Sequence, residues 1–295
     1  MTKRANGMEK KSGKVRAWEL DALRGLAILL VVWDHTMYAI GYIFYSGGWE
    51  YSANEALMKI GEFALDYWGS DWRLFGWPVF VFIFFFVSGT CTAFSRNNFW
   101  RGLRLALVAL AVTGVTYLLQ EWLDMGNVYI QFGVLHCLAL CILLFAALEA
   151  FLKLTASRSK YYRFIKAGVY AACAVALLIV NYTCNVTLYE VNTSYTTVPD
   201  ATPITGMFFY TDGWWTADYF PLLPFFGFFM IGAAIAPILY NEKKSLLPGL
   251  DGKWNRFLTV PGRYSIYIYL LIQVVAVSVL WVVTYAVTGE IYFFG

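Results

Sequence analysis

Seven stretches of this chain, roughly residues 18–43, 73–95, 100–119, 128–151, 164–186, 218–240 and 262–287, are each apolar for about twenty residues or more. No water reaches the hydrocarbon core of a bilayer to satisfy a free N–H or C=O. A spanning segment must therefore close its hydrogen bonds internally, and segments of this length do so as α-helices. Composition agrees: 14% of the residues are charged and 60% hydrophobic, where a soluble domain carries about a quarter charged. The fold class that follows is an all-α integral membrane protein, a bundle of about seven transmembrane helices. The first apolar segment is too long for the core of a secretory signal and lacks a small-residue cleavage site, so it is expected to remain as a span. Residues 1–17 read as a basic cytoplasmic tail and 18–290 as a single transmembrane domain.

Charge placement orients the bundle. Of the 22 Lys and Arg residues, all but Lys59 and Arg73 lie in the tail, in 96–104, in 153–166, in 243–263, or, as Arg24, at the inner edge of the first span. The positive-inside rule puts those connections and the N-terminus in the cytoplasm and the C-terminus across the membrane, expected to be the plasma (inner) membrane. On the outer side, Ala53, Ala56, Leu57, Ile60, Phe63, Ala64 and Tyr67 recur at helical spacing among Glu55, Lys59, Glu62 and Asp66. They predict an amphipathic helix on the outer surface. Residues 187–217 are polar and carry Trp214-Trp215, which read either as a carbohydrate platform or as an interfacial aromatic belt. Matches to the Asn-x-Ser/Thr pattern at Asn181, Asn185 and Asn192 are taken as chance. Cys91, Cys137, Cys141 and Cys173 fall in apolar segments and Cys184 at the end of one; they read as small fillers, since nothing completes a metal set around Cys137 and Cys141.

Ionisable groups inside spans are costly and mark function. Arg24 and His35 are eleven residues apart in the first span. At about 100° per residue they share one face to within about 20°, some 16 Å apart along the axis. The chain has two histidines; His35 and His136, on the first and fourth spans, fall at comparable depth in the outer half of the membrane and suggest a shared site. Asp34 points about 100° away from His35. Arg101 and Arg104, at i, i+3, and Arg263 form a basic collar at the inner mouth. Plainer readings stand beside these: neutral imidazoles bonded to neighbouring helices, an Arg24 that snorkels to headgroups or pairs with Asp21, and an Asp218 that caps the sixth helix. Joined together, the polar groups describe an elongated anionic donor such as coenzyme A, its phosphates on arginines. Its reactive end would reach His35, a base or nucleophile. An acceptor would come from outside past Trp214, Trp215 and Asp218.

The run Leu20-Asp-Ala-Leu-Arg-Gly-Leu-Ala-Ile with Asp34-His35 resembles the first span of transmembrane acyltransferases, whose Arg, ten residues, His pattern is met by Arg24 and His35. Phe132-Gly-Val-Leu-His136, Asp218-Tyr-Phe-Pro-Leu-Leu-Pro-Phe-Phe-Gly227 and Gly262-Arg-Tyr-Ser-Ile-Tyr-Ile-Tyr-Leu-Leu271 resemble, in order, motifs of heparan-alpha-glucosaminide N-acetyltransferase-like proteins. The similarity runs from about residue 17 to 275. It departs at the end of the last motif, where Leu270-Leu-Ile-Gln273 stands for the usual LLHQP. The resemblance implies transfer of an acetyl or short acyl group from acetyl-CoA to a sugar across the membrane. With the reading of the polar groups above, the expected roles are His35, His136 and Asp34 in catalysis, Arg24, Arg101, Arg104 and Arg263 at the donor, and Asp218, Trp214 and Trp215 at the acceptor, with no metal. The partners expected are acyl-CoA, a carbohydrate acceptor and the bilayer, not nucleic acid; self-association stays open. Two other classes remain at this point. One is a proton-coupled transporter with Asp34, His35 and His136 as a relay; the other is a membrane assembly factor whose histidines merely pack.

Overall fold

A computed structural model describes residues 17–123, 128–183, 202–210, 214 and 216–289. Among them the chain forms helices and no strand, and seven helices are long and apolar enough to cross a membrane. The spans are α1 (Trp18–Tyr38, continued by a π-helical turn Ala39–Tyr45), α3 (Asp71–Thr90), α4 (Asn98–Leu123), α5 (Val134–Ala156), α6 (Tyr162–Thr183), α8 (Leu222–Leu239) and α10 (Ser265–Thr288). Three shorter helices, α2 (Glu55–Gly69), α7 (Pro203–Phe208) and α9 (Arg256–Arg263), lie in the connections.

The amphipathic segment forms α2 as its spacing predicts. Asn54 Oδ1 caps it by accepting from Ala56 N (3.0 Å) and Leu57 N (3.2 Å), which satisfies two otherwise orphaned donors. Its buried face, Leu57 and Ala64, joins Met37, Ile40, Phe44 and Trp49 in one cluster. The helix thus packs on the π-helical extension of α1 and on Val277 and Leu280 of α10.

The centre of the bundle is α8, whose most apolar window is 67% buried, against 11% for α4 and 6% for α10 on the periphery. Lipid offers no hydrophobic drive to hold helices together, so close backbone approach has to do so. Two glycine pairs provide it. A Cβ on Gly89 would overlap the Phe229 carbonyl and one on Gly232 the Phe86 carbonyl, which fixes the α3–α8 crossing. Gly25 and Gly262 do the same for α1 and α9, each meeting a carbonyl of the other helix, Leu258 and Asp21.

Two spans start later than apolarity suggests. Residues 128–133 and 218–221 are extended or turned rather than helical. Apolar side chains alone do not distinguish a helix from a packed loop, and Gly133 and Pro221 stand at the N-caps of α5 and α8. The loops satisfy one another's polar groups: Ala217 N donates to Tyr129 O (3.1 Å), Gln131 N to Thr216 Oγ1 (2.7 Å) and Thr216 Oγ1 to Tyr129 O (3.1 Å). That pairing carries Asp218 to the start of α5. Asp218 therefore does not cap the helix that follows it.

Candidate functional site

Asp218 Oδ2 accepts from Val134 N (3.0 Å), so it caps α5 from another part of the chain, and from the Tyr269 hydroxyl on α10 (2.5 Å). A Cβ on Gly133 would come within 2.5 Å of Oδ2, so the close seat needs glycine. Burial pushes the Asp218 carboxyl above the ordinary carboxylate value; the Tyr269 hydroxyl, the nearby His35 and the Val134 N–H pull against it. The His35 and Tyr269 rings meet edge to face, with centroids 6.3 Å apart. Three segments far apart in sequence thus converge on one carboxylate.

The two imidazoles differ in what they have left. His35 Nδ1 lies 3.0 Å from Val31 O. A carbonyl only accepts, so Nδ1 carries the proton and Nε2 keeps its lone pair for chemistry. His136 Nδ1 accepts from Gly133 N (3.2 Å), which puts the proton on Nε2, 2.9 Å from Thr113 Oγ1; that hydroxyl donates in turn to Ile130 O (2.8 Å). Both nitrogens of His136 are engaged in holding the first turn of α5 against α4. It stands close to the Asp218 seat but has no nitrogen to spare.

At the other end of α1 the arginines gather. Arg24 donates from Nη2 to Cys91 Sγ (2.9 Å) and lies 3.8 Å from Asp21 Oδ1, while Arg263 Nε is 3.3 Å from Asp21 Oδ2. Arg101 Nη2 donates to Ser88 O (3.2 Å) and Ser88 Oγ (2.8 Å), close enough to Arg24 for their charges to repel. Arg101 Nη1 is buried and has no hydrogen-bond partner among the described residues. An unspent guanidinium donor beside a second cation has the chemistry to receive an anion. Arg104 is exposed on the same helix and does not join this group. Between the arginines and His35, the same stripe of α1 presents Ile28, fully buried, and Val31.

The sequence model of the family described as Heparan-alpha-glucosaminide N-acetyltransferase, catalytic, matches residues 16–274. The chain belongs to that family. No curated protein and no solved structure is found to match it. Membership in the heparan-alpha-glucosaminide N-acetyltransferase family points to membrane N-acetyltransferase activity and, by family, to an acyl donor and a carbohydrate acceptor. The match spans both clusters, from just before α1 to the middle of α10.

Other expected site residues of this acetyltransferase family member lie elsewhere. Asp34 is held by Arg73, whose Nε sits 2.8 Å from Oδ1 and Nη2 3.5 Å from Oδ2, and by the Tyr67 hydroxyl (3.1 Å). Burial, with Asp34 next, raises the Tyr67 hydroxyl to about 12, so it stays a donor. Arg73 also stacks 3.4 Å over the Trp68 ring. Trp214 is 9% exposed; it packs over Gly206 and against Tyr219 (5.2 Å) inside the loop, rather than offering a free face. Trp215 lies outside the described residues, as do Cys184, Asn185 and Asn192. Asn181 is buried in α6. The sequence reading missed Tyr269 and Arg73. For Tyr269 the signal was a hydroxyl in an apolar span inside a recognised motif; for Arg73 it was one of two basic residues on the acidic side.

Proposed function

We propose that this protein transfers an acetyl group from cytoplasmic acetyl-CoA to an amine or hydroxyl of a carbohydrate on the opposite side of the membrane, with His35 as the base. The observation that carries this reading is the Nε2 of His35, which has no hydrogen-bond partner among the described residues and is set beside the Asp218–Tyr269 pair on the same α1 stripe as Arg24. The positive-inside pattern supports a cytoplasmic arginine cluster. Arg24, Arg101 and Arg263 would hold the donor's phosphates, with Arg101 Nη1 as the unspent donor. Arg104, exposed, would add long-range attraction only.

In the reaction, His35 Nε2 takes the proton of the acceptor as its nitrogen or oxygen bonds to the thioester carbonyl carbon. The carbon–sulfur bond breaks, and the CoA sulfur leaves with the proton that the imidazolium returns. Asp218 stabilises the transient imidazolium charge, and Tyr269 fixes the carboxylate. His136 acts by holding the N-terminus of α5, and hence the Val134 N–H that seats Asp218. Asp34 acts by anchoring the turn of α1 that bears His35. A proton relay through Asp34, His35 and His136 has less support, because Asp34 is committed to Arg73 and both nitrogens of His136 are engaged.

The test is CoA release by purified protein given acetyl-CoA and a panel of sugars. Wild type should release CoA in step with sugar acetylation. His35→Ala should lose this while inserting and folding normally. Near-normal turnover in that variant would sink the assignment.

A further inference from the structure

We propose that Tyr38, Tyr42 and Trp68 form the acceptor subsite, a platform for the apolar C–H face of a pyranose ring one helical turn beyond His35. The inference rests on the acetyl-transfer reading and adds where the sugar sits. Tyr38 is three residues past His35, so it lies about 60° around α1 and about 4.5 Å further out. Leu26, Leu29 and Trp33 mark the lipid-facing side of the helix, some 120–180° from His35. Tyr38 is 42% exposed and Tyr42 48%. The exposed face also takes in Leu23 and Leu30, so Tyr38 stands about 60° from both His35 and Leu23, at the border between the catalytic stripe and the exposed side of the helix.

The three rings touch one another: Tyr38–Tyr42 at 5.4 Å, Tyr38–Trp68 at 5.4 Å and Tyr42–Trp68 at 5.3 Å. The π-helical turn that starts at Ala39 widens α1 where Tyr42 must come level with Tyr38 and Trp68. The platform is held rigid from behind. Arg73 stacks on Trp68 and is itself fixed by Asp34, the neighbour of His35, so ring surface and base are registered to one ion pair. Trp68 Nε1 is buried with no hydrogen-bond partner among the described residues, a donor that a sugar oxygen can satisfy. Tyr and Trp present broad apolar faces with polar tips, the combination that a pyranose, apolar on its faces and polar at its rim, complements.

The test uses the full-length protein in lipid nanodiscs with acetyl-CoA, and glucosamine and glucose as acceptors. Tyr38→Ala and Tyr42→Ala should each raise acceptor KM about tenfold or more, with acetyl-CoA KM within about twofold and the unfolding temperature unchanged. Tyr38→Phe, which keeps the ring, should stay near wild type. An unchanged acceptor KM in both alanine variants overturns the platform and returns the rings to the role of a membrane-interface belt. Equal rises in donor and acceptor KM also overturn it. A wild-type protein that acetylates neither sugar, in the presence of acetyl-CoA, sinks this inference; if it also releases no CoA with any acceptor, the proposed function falls with it.

Discussion

His35 and His136 are the same side chain in two states of engagement, and the difference lies in what each Nδ1 meets: a carbonyl at His35, an N–H at His136. His35→Ala is expected to lower acetyl transfer by about 10²-fold or more, the range of a positioned general base, without moving the thermal unfolding midpoint. His136→Ala should act first on stability, costing about 1–3 kcal/mol because Gly133 N and Thr113 lose their partner. It should lower transfer far less than His35→Ala, through the loosened Asp218 seat; denaturation read beside specific activity separates the two. Asp218 gives a pH signature. Burial raises its carboxyl above 3.8, so between that value and the raised one the folded protein binds more protons than the unfolded chain. Stability from this group therefore falls as pH rises through the window, while transfer, which needs the carboxylate, rises. Asp218→Asn should flatten the stability slope in a pH series of unfolding scans. At this scale the sequence exposes Arg24 and His35, because an eleven-residue separation on a helix is a statement about one face. It does not expose the hydrogen bonds that disarm His136, since Gly133 N and Thr113 become its neighbours only once α5 starts at Val134 and packs on α4.

The helices meet through particular residues, and their geometry sets where the arginines stand. Gly25 and Gly262 let α1 and α9 approach until backbone meets backbone, and Arg24 and Arg263 flank that crossing around Asp21. Gly262→Leu should destabilise the protein by about 1–3 kcal/mol or more through overpacking and raise KM for acetyl-CoA. Gly114→Ala, where a Cβ meets nothing within 4 Å, should be neutral or slightly stabilising. Unfolding scans with donor kinetics on both variants check this. Arg73 ties α3 to α1 through a carboxylate that is itself buried, with side-chain exposures of 5% and 7%. Arg73→Met strands that charge and is expected to cost about 3–5 kcal/mol, with Arg73→Met/Asp34→Asn recovering part of it. The seven spans and α2 are legible because apolar length and helical spacing are local properties. The unwound stretches 128–133 and 218–221 are not, because an apolar loop that borrows hydrogen bonds from another loop has the same composition as a helix.

Taken whole, the molecule places a cluster of arginines and an unspent imidazole nitrogen at different depths of one helix, with α8 at the core and α4 and α10 toward lipid. The orientation proposed here rests on 20 of the 22 basic residues lying on one side, which the positive-inside rule assigns to the cytoplasm. Membrane-impermeant labelling of single cysteines should find a residue at position 59 on the opposite side from one at position 243. Sequence alone supports the family, but not the meeting of Trp68 with Tyr38 and Tyr42, which exists only because α2 folds back onto α1. The most direct measurement of the central claim is a sided one. Protein is reconstituted into sealed liposomes, acetyl-labelled acetyl-CoA is supplied only on the face bearing the arginine cluster, and glucosamine is enclosed on the other. The account predicts labelled N-acetylglucosamine on the far side for wild type and none for His35→Ala. Label appearing equally with both proteins, or only on the side of the donor, would contradict it.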